Sequence, residues 1–119
     1  MYGPPPIYRT WWAQVEECSG KTGSFGRVRW FVIPGTDSFV ANGQQVNGLW
    51  IEHYRYIVLA ESRVSDSLVV RHEMLHDLSG SVTHPPELFD QRCAGLVQPF
   101  SRSDRDKNMG HQPLSPSAA

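Results

Sequence analysis

The stretch that most constrains this chain is Val69-Val70-Arg71-His72-Glu73-Met74-Leu75-His76-Asp77-Leu78. Residues four apart on a helix stand one above the other on a single face. A helix here stacks His72 over His76, with Leu68, Val69 and Leu75 on one side of them and Val70 and Met74 nearly opposite. A helix that is apolar on both sides is packed between layers rather than laid on a surface. Two imidazoles and Glu73 are thereby carried into a dry interior, where polar groups are costly unless something binds them. Stacked imidazoles can offer their ring nitrogens to one metal ion. Glu73, about 100° round the helix from His72, flanks that ion without having to ligate it. With this chain's own His and Glu frequencies, His-Glu-x-x-His arises by chance with a likelihood on the order of 0.01.

The flanks agree with a buried helix. Ser65 or Asp66 can cap it, its apolar residues begin at Leu68, and Gly80 is a natural stop. Ahead of it, Tyr56-Ile57-Val58-Leu59-Ala60 reads as a buried strand.

The 119 residues suffice for one small domain with one core, and four Trp, four Tyr and five Phe supply that core. A net charge of −1 without a basic run argues against nucleic acid as a partner. No apolar run approaches the ~20 residues of a transmembrane segment. The sequence as given does not start with a secretion signal. Cys18 and Cys93 form no Cys-x-x-Cys pair, which leaves one disulfide or two free thiols. A bond between them implies an oxidising compartment.

Along the chain, residues 1–6 read as a mobile Pro-rich tail, 7–97 as a single domain and 98–119 as a disordered polar tail. Ile7 to Cys18 is helical in pattern, with Tyr8, Trp11, Trp12, Val15 and Cys18 recurring every three or four residues. The Gly20-Lys21-Thr22 that follows is a helix stop and turn, since a phosphate loop needs an earlier glycine and a preceding strand. Arg27 to Ile33 alternates as a strand. Phe39-Val40, the turn Asn42-Gly43 and Gln45-Val46 suggest a short hairpin. Leu49-Trp50-Ile51 and Tyr56 to Ala60 suggest another, turning near His53-Tyr54. Pro85-Pro86 opens a further helix reaching Cys93 and burying Leu88 and Phe89, and Leu96-Val97 adds a last strand or core contact. The expected fold class is α+β: a three- to four-stranded, mostly antiparallel sheet packed on the N-terminal helix and the central metal-binding helix.

A catalytic zinc usually takes three protein ligands and keeps one open position. The helix supplies His72 and His76; the nearest third donor is His84, brought back by the turn at Gly80. Asp77, Glu87 and Asp90 compete as oxygen donors. Asp77 follows His76 directly and points off the metal face, which suits a supporting role. His53 at a hairpin tip and His111 in the tail are expected at the surface. Tyr54 and Tyr56 are the candidates to stabilise an oxyanion. With Zn2+ bound, Glu73 is positioned as general base for hydrolysis of a peptide or protein substrate, which an exposed strand edge before the helix could hold in extended form.

His72-Glu73-Met74-Leu75-His76 resembles the zinc helix of the zincin metallopeptidases. The longer run to Gly80 and His84 resembles the metzincin motif, with the glycine one residue later, the histidine two residues later and no Met-turn following. The chain is also similar to small exported bacterial proteins that combine a Trp-Trp helix ending in Cys-Ser-Gly (Trp11 to Gly20), a Val-Arg-Trp-Phe-Val-Ile-Pro-Gly strand (Val28 to Gly35), Arg71 to His76, His84-Pro85 and Arg92-Cys-Ala-Gly95. This resemblance covers about residues 8 to 97. It implies a zincin-like peptidase domain, export to the periplasm, the exterior or a membrane-attached state, and a Cys18–Cys93 bond. The competing expectation is a metal-binding domain without peptidase activity that serves as a structural or partner-binding subunit, its tails available to a protein partner.

Overall fold

The computed structural model describes residues 1–99. The rest of the expected 98–119 tail, His111 included, lies outside them. The order is α1 (Ile7–Ser19), β1 (Arg29–Ile33), β2 (Phe39–Ala41), β3 (Gln44–Val46), β4 (Gly48–Ile51), β5 (Tyr56–Ala60), α2 (Ser67–Ser79) and a π-helical segment (Glu87–Arg92). This is an α+β arrangement.

α1 buries Tyr8, Trp12 and Val15, the stripe at spacings of four and three, while Trp11 and Cys18 are half-buried beside it. It stops at Gly20, whose positive φ returns its N–H to Glu16 O. The Pro-rich start, expected as a mobile tail, runs beside β1, where the Tyr2 N–H donates to Trp30 O at 2.7 Å.

The sheet differs from the mostly antiparallel one expected. It has three strands in the order β1-β5-β4, and β1 pairs with β5 in parallel, Arg29 opposite Tyr56 through Ile33 opposite Ala60. β4 and β5 form the expected antiparallel hairpin. Because β5 lies in the middle and β4 folds back on it, a strand on the far side can run either way. The excursion through β2 and β3, a separate two-stranded antiparallel sheet, delivers the parallel direction. Asn42 and Gly43 both take positive φ in that small hairpin, as a tight two-residue turn requires.

α2 is capped by Asp66, whose side chain accepts from the Val69 N–H at 3.3 Å. At its end Gly80 takes φ 70° and donates to His76 O and Asp77 O. Every residue from His72 to Leu78 is buried, as a helix between layers must be. One layer is the sheet, through Trp50, Ile57 and Leu59. The other is α1 with Phe89, Cys93 and Val97 of the last segment. Val97 makes the core contact expected of it and an isolated bridge to Ala94, not a strand. Cys18 and Cys93 are bonded, tying α1 to that segment. Such bonds persist in oxidising compartments. Among the described residues, no helix is long and apolar enough to cross a membrane.

Candidate metal centre

His72, Glu73 and His76 enter the interior on α2 with 1%, 0% and 2% of their surface exposed. The helix alone fixes their Cβ directions; their rings are aimed by backbone carbonyls. His72 Nδ1 lies 2.5 Å from Gln98 O, and His76 Nδ1 lies 2.8 Å from Ser81 O. A carbonyl oxygen only accepts, so each Nδ1 carries a proton, which leaves Nε2 as the nitrogen that can face a metal. Burial, reinforced by His72 and His84 nearby, pushes the His76 pKa down to about 2 and holds that ring neutral.

The third ring comes from the chain after α2. Gly80 ends the helix, and the Ser81 hydroxyl, which accepts from Thr83 N–H at 3.1 Å and meets Thr83 Oγ1 at 2.8 Å, bends the chain back. His84 then places its Nε2 3.2 Å from His72 Nε2 and 3.2 Å from His76 Nε2. Tetrahedral ligation with metal–nitrogen bonds of ~2.0–2.1 Å puts ligand atoms ~3.3–3.4 Å apart. These separations match that requirement. Three ring nitrogens converging on one point fit a cation better than they fit one another. Among the described residues, His72, His76 and His84 form the cluster that could hold a metal ion.

The surroundings favour a dry, rigid pocket. The Phe89 ring, 1% exposed, has its centroid 4.8 Å from that of His72 and 5.0 Å from those of His76 and His84. The Trp50 indole lies parallel to His76 at 6.2 Å, 8° between planes, and its Nε1–H donates to Asp77 Oδ1 at 2.9 Å. Asp77 is wholly buried and also accepts from Arg27 Nε at 2.9 Å and Arg55 Nη1 at 3.0 Å. It is a support for Trp50 and the helix end, not a ligand, in line with its place off the metal face.

Glu73 contrasts with Asp77. Both carboxyl oxygens of Glu73 are buried without a hydrogen-bond partner among the described residues. Burial pushes its pKa up to about 8. A buried acid that nothing among the described residues satisfies, next to converging ring nitrogens, is a group waiting for a ligand or a proton.

Other expected residues lie elsewhere. Glu87 is exposed and Asp90 half-buried on the last segment. His53 is exposed at the β4–β5 turn, as expected. Tyr54 is 59% exposed and stacks on Tyr56, which packs on Phe31. Tyr56 alternates with Ile57 and Leu59, which face the core, so it sits on the outer face of the sheet. The oxyanion role considered for the two tyrosines therefore has no support. Ser81 O, Gln98 O, Phe89 and Trp50 were missed from sequence. The carbonyls leave no trace in residue type, whereas Phe89 and Trp50 read only as core aromatics.

Compared with known proteins, the chain matches no family model, no curated protein and no solved structure.

Proposed function

We propose that this protein is a zincin-type metallopeptidase that uses Zn2+ held by His72, His76 and His84. The observation that carries the reading is the pairing of three convergent ring nitrogens with the unpartnered buried carboxyl of Glu73. Neutral nitrogen donors in a small tetrahedral set suit zinc over calcium or magnesium, which prefer oxygen. When bound, zinc polarises a peptide carbonyl and acidifies water. With the ion held by His72, His76 and His84, Glu73 would be the residue to take a proton from water and return it to the leaving amine nitrogen. Ser81 and Gln98 keep His76 and His72 in the donor tautomer, and Phe89 with Trp50 excludes bulk water. Among the described residues β4 is an edge strand of the sheet, a place where an extended peptide substrate could pair. The disulfide supports an exported location.

The test separates metal from chemistry. Glu73→Gln is expected to keep one zinc per chain and to lower peptide hydrolysis by ~10²–10⁴-fold, measured by metal analysis and a fluorogenic peptide library. Zinc loss in that variant, or undiminished hydrolysis, removes Glu73 from the role.

A second reading is favoured by the depth of the site. His72, Glu73 and His76 are at 2% exposure or less and His84 is half-buried, so the centre lies deep. Such a centre also suits a metal-stabilised module that binds a partner. A wild-type protein that holds zinc yet cleaves nothing in the library selects this reading.

A further inference from the structure

β4 meets α2 at two points. Gly48 and Trp50 are alternate residues of one strand, both buried toward the helix. Trp50 docks on His76 and Asp77, and Gly48 docks on Glu73. Two strand residues advance about 6.8 Å, and three or four helical residues about 5–6 Å. Strand and helix thus run side by side over one turn, with matched contacts at each end.

The glycine is not required by its backbone. Gly48 is outside the left-handed region and pairs regularly with Leu59. What its position lacks is space. A Cβ there would stand 3.1 Å from Glu73 Oε2, 3.2 Å from Glu73 Cγ and 3.2 Å from Val69 Cγ1. All three are closer than ordinary van der Waals contact, and the neighbours have little room to yield. Val69 is 1% exposed, and Trp50, hydrogen-bonded to Asp77, holds the strand in place.

We propose that Gly48 is a positioning residue for Glu73: the bare backbone of β4 is the wall against which the carboxyl is set, and it fixes where the base stands beside the metal. The inference rests on the reading of Glu73 as the base of the proposed site. A methyl group at 48 moves the carboxyl without touching a ligand.

The first test is a double-mutant cycle on thermal unfolding. Gly48→Ala is expected to lower the midpoint by roughly 5 °C in the wild-type background. In a Glu73→Ala background, where the methyl enters vacated space, it is expected to cost nothing or to stabilise. The second test loads the protein with Co2+ and reads its visible d–d spectrum. Gly48→Ala should retain one Co2+ per chain with affinity within ~3-fold of wild type, and its spectrum should shift as that of Glu73→Gln does. Where hydrolysis is measurable, kcat should fall ~10–100-fold while KM changes less than ~2-fold. If Gly48→Ala does not fold, recovery of folding in Gly48→Ala/Glu73→Ala supports the proposal, and failure there overturns it. Equal losses in the two backgrounds, or a cobalt spectrum identical to wild type, also overturn it. A wild type that binds Co2+ but cleaves no peptide removes the peptidase reading alone; the cycle and the spectrum still decide for Gly48.

Discussion

The two halves of the candidate metal centre are built by different means. On α2, a regular helix fixes His72, Glu73 and His76 through local hydrogen bonds and the spacing of one turn. On the segment from Ser81 to Gln98, regular structure is confined to six π-helical residues, Glu87–Arg92. Yet that segment supplies the third ring, the Phe89 floor and both carbonyls that aim the α2 imidazoles. It stays in place through attachments rather than through its own regularity. These are the Cys18–Cys93 bond, Arg92 Nε to Cys18 O, Arg71 Nη1 to Leu96 O and Gln98 N–H to Leu68 O. The lesson is that a helix can carry the chemistry of a site while its geometry is set by a segment with little internal order.

The sharpest way to break this comparison is to cut the covalent attachment. Cys18→Ser/Cys93→Ser is expected to cost about 2–4 kcal/mol in a denaturant titration. At the same time it should weaken metal binding by ~10-fold while helical circular dichroism changes little, because the irregular half loosens and α2 does not. Unchanged metal affinity in the doubly substituted protein would mean that the hydrogen bonds alone hold the segment.

A more local effect, on affinity and not on the stability of the segment, is expected from removing its ligand. His84→Ala should lower zinc affinity by at least ~100-fold, more than the loss of a supporting group outside the ligand set. Glu87→Ala, on the same segment but exposed, should leave affinity within ~2-fold, as surface substitutions do. Competition with a chromogenic chelator reads both. Equal affinities for the two variants would take His84 out of the centre.

The gentlest probe is pH, because water entering beside a buried carboxyl relieves much of its desolvation. In the metal-free protein, burial raises the Glu73 pKa from 4.5 to about 8. The folded state therefore holds this proton more tightly than the unfolded state, and the stability it contributes is complete below pH 4.5 and lost as pH rises to about 8. His76 works the other way: with its pKa lowered from 6.5 to about 2, its contribution is complete above 6.5 and lost as pH falls toward 2. Glu73→Gln should flatten the alkaline decline between 4.5 and 8 and leave the acid limb in place. Superimposable pH profiles for the two proteins would show that Glu73 is not desolvated as its burial indicates.

The same contrast explains what could be read in advance. The α2 helix was legible because its signals are local: Asp66 before the apolar run, His72 and His76 at one-turn spacing, Gly80 after it. The turn at Asn42-Gly43 was legible for the same reason. His84 could be inferred from its nearness to Gly80, although spacing alone did not exclude Asp77, Glu87 or Asp90. The parallel pairing of β1 with β5 was not legible. Strand direction depends on which neighbour a strand finds, and Arg29 and Tyr56 carry nothing that names each other. Gln98, one residue past the expected domain end at 97, was missed because a carbonyl contributes to a site through position and not through residue type. Gly48 gave no signal in the sequence, since its role is the absence of an atom.

The separation of the imidazoles and that of the sulfur bridge differ in the length of chain each must close. His72 and His84 are 12 positions apart, whereas the bonded sulfurs are 75 apart. Short loops close faster than long ones. An ion held by the three imidazoles would therefore be gathered before the thiols meet. It would then act as a template that brings residue 93 toward residue 18.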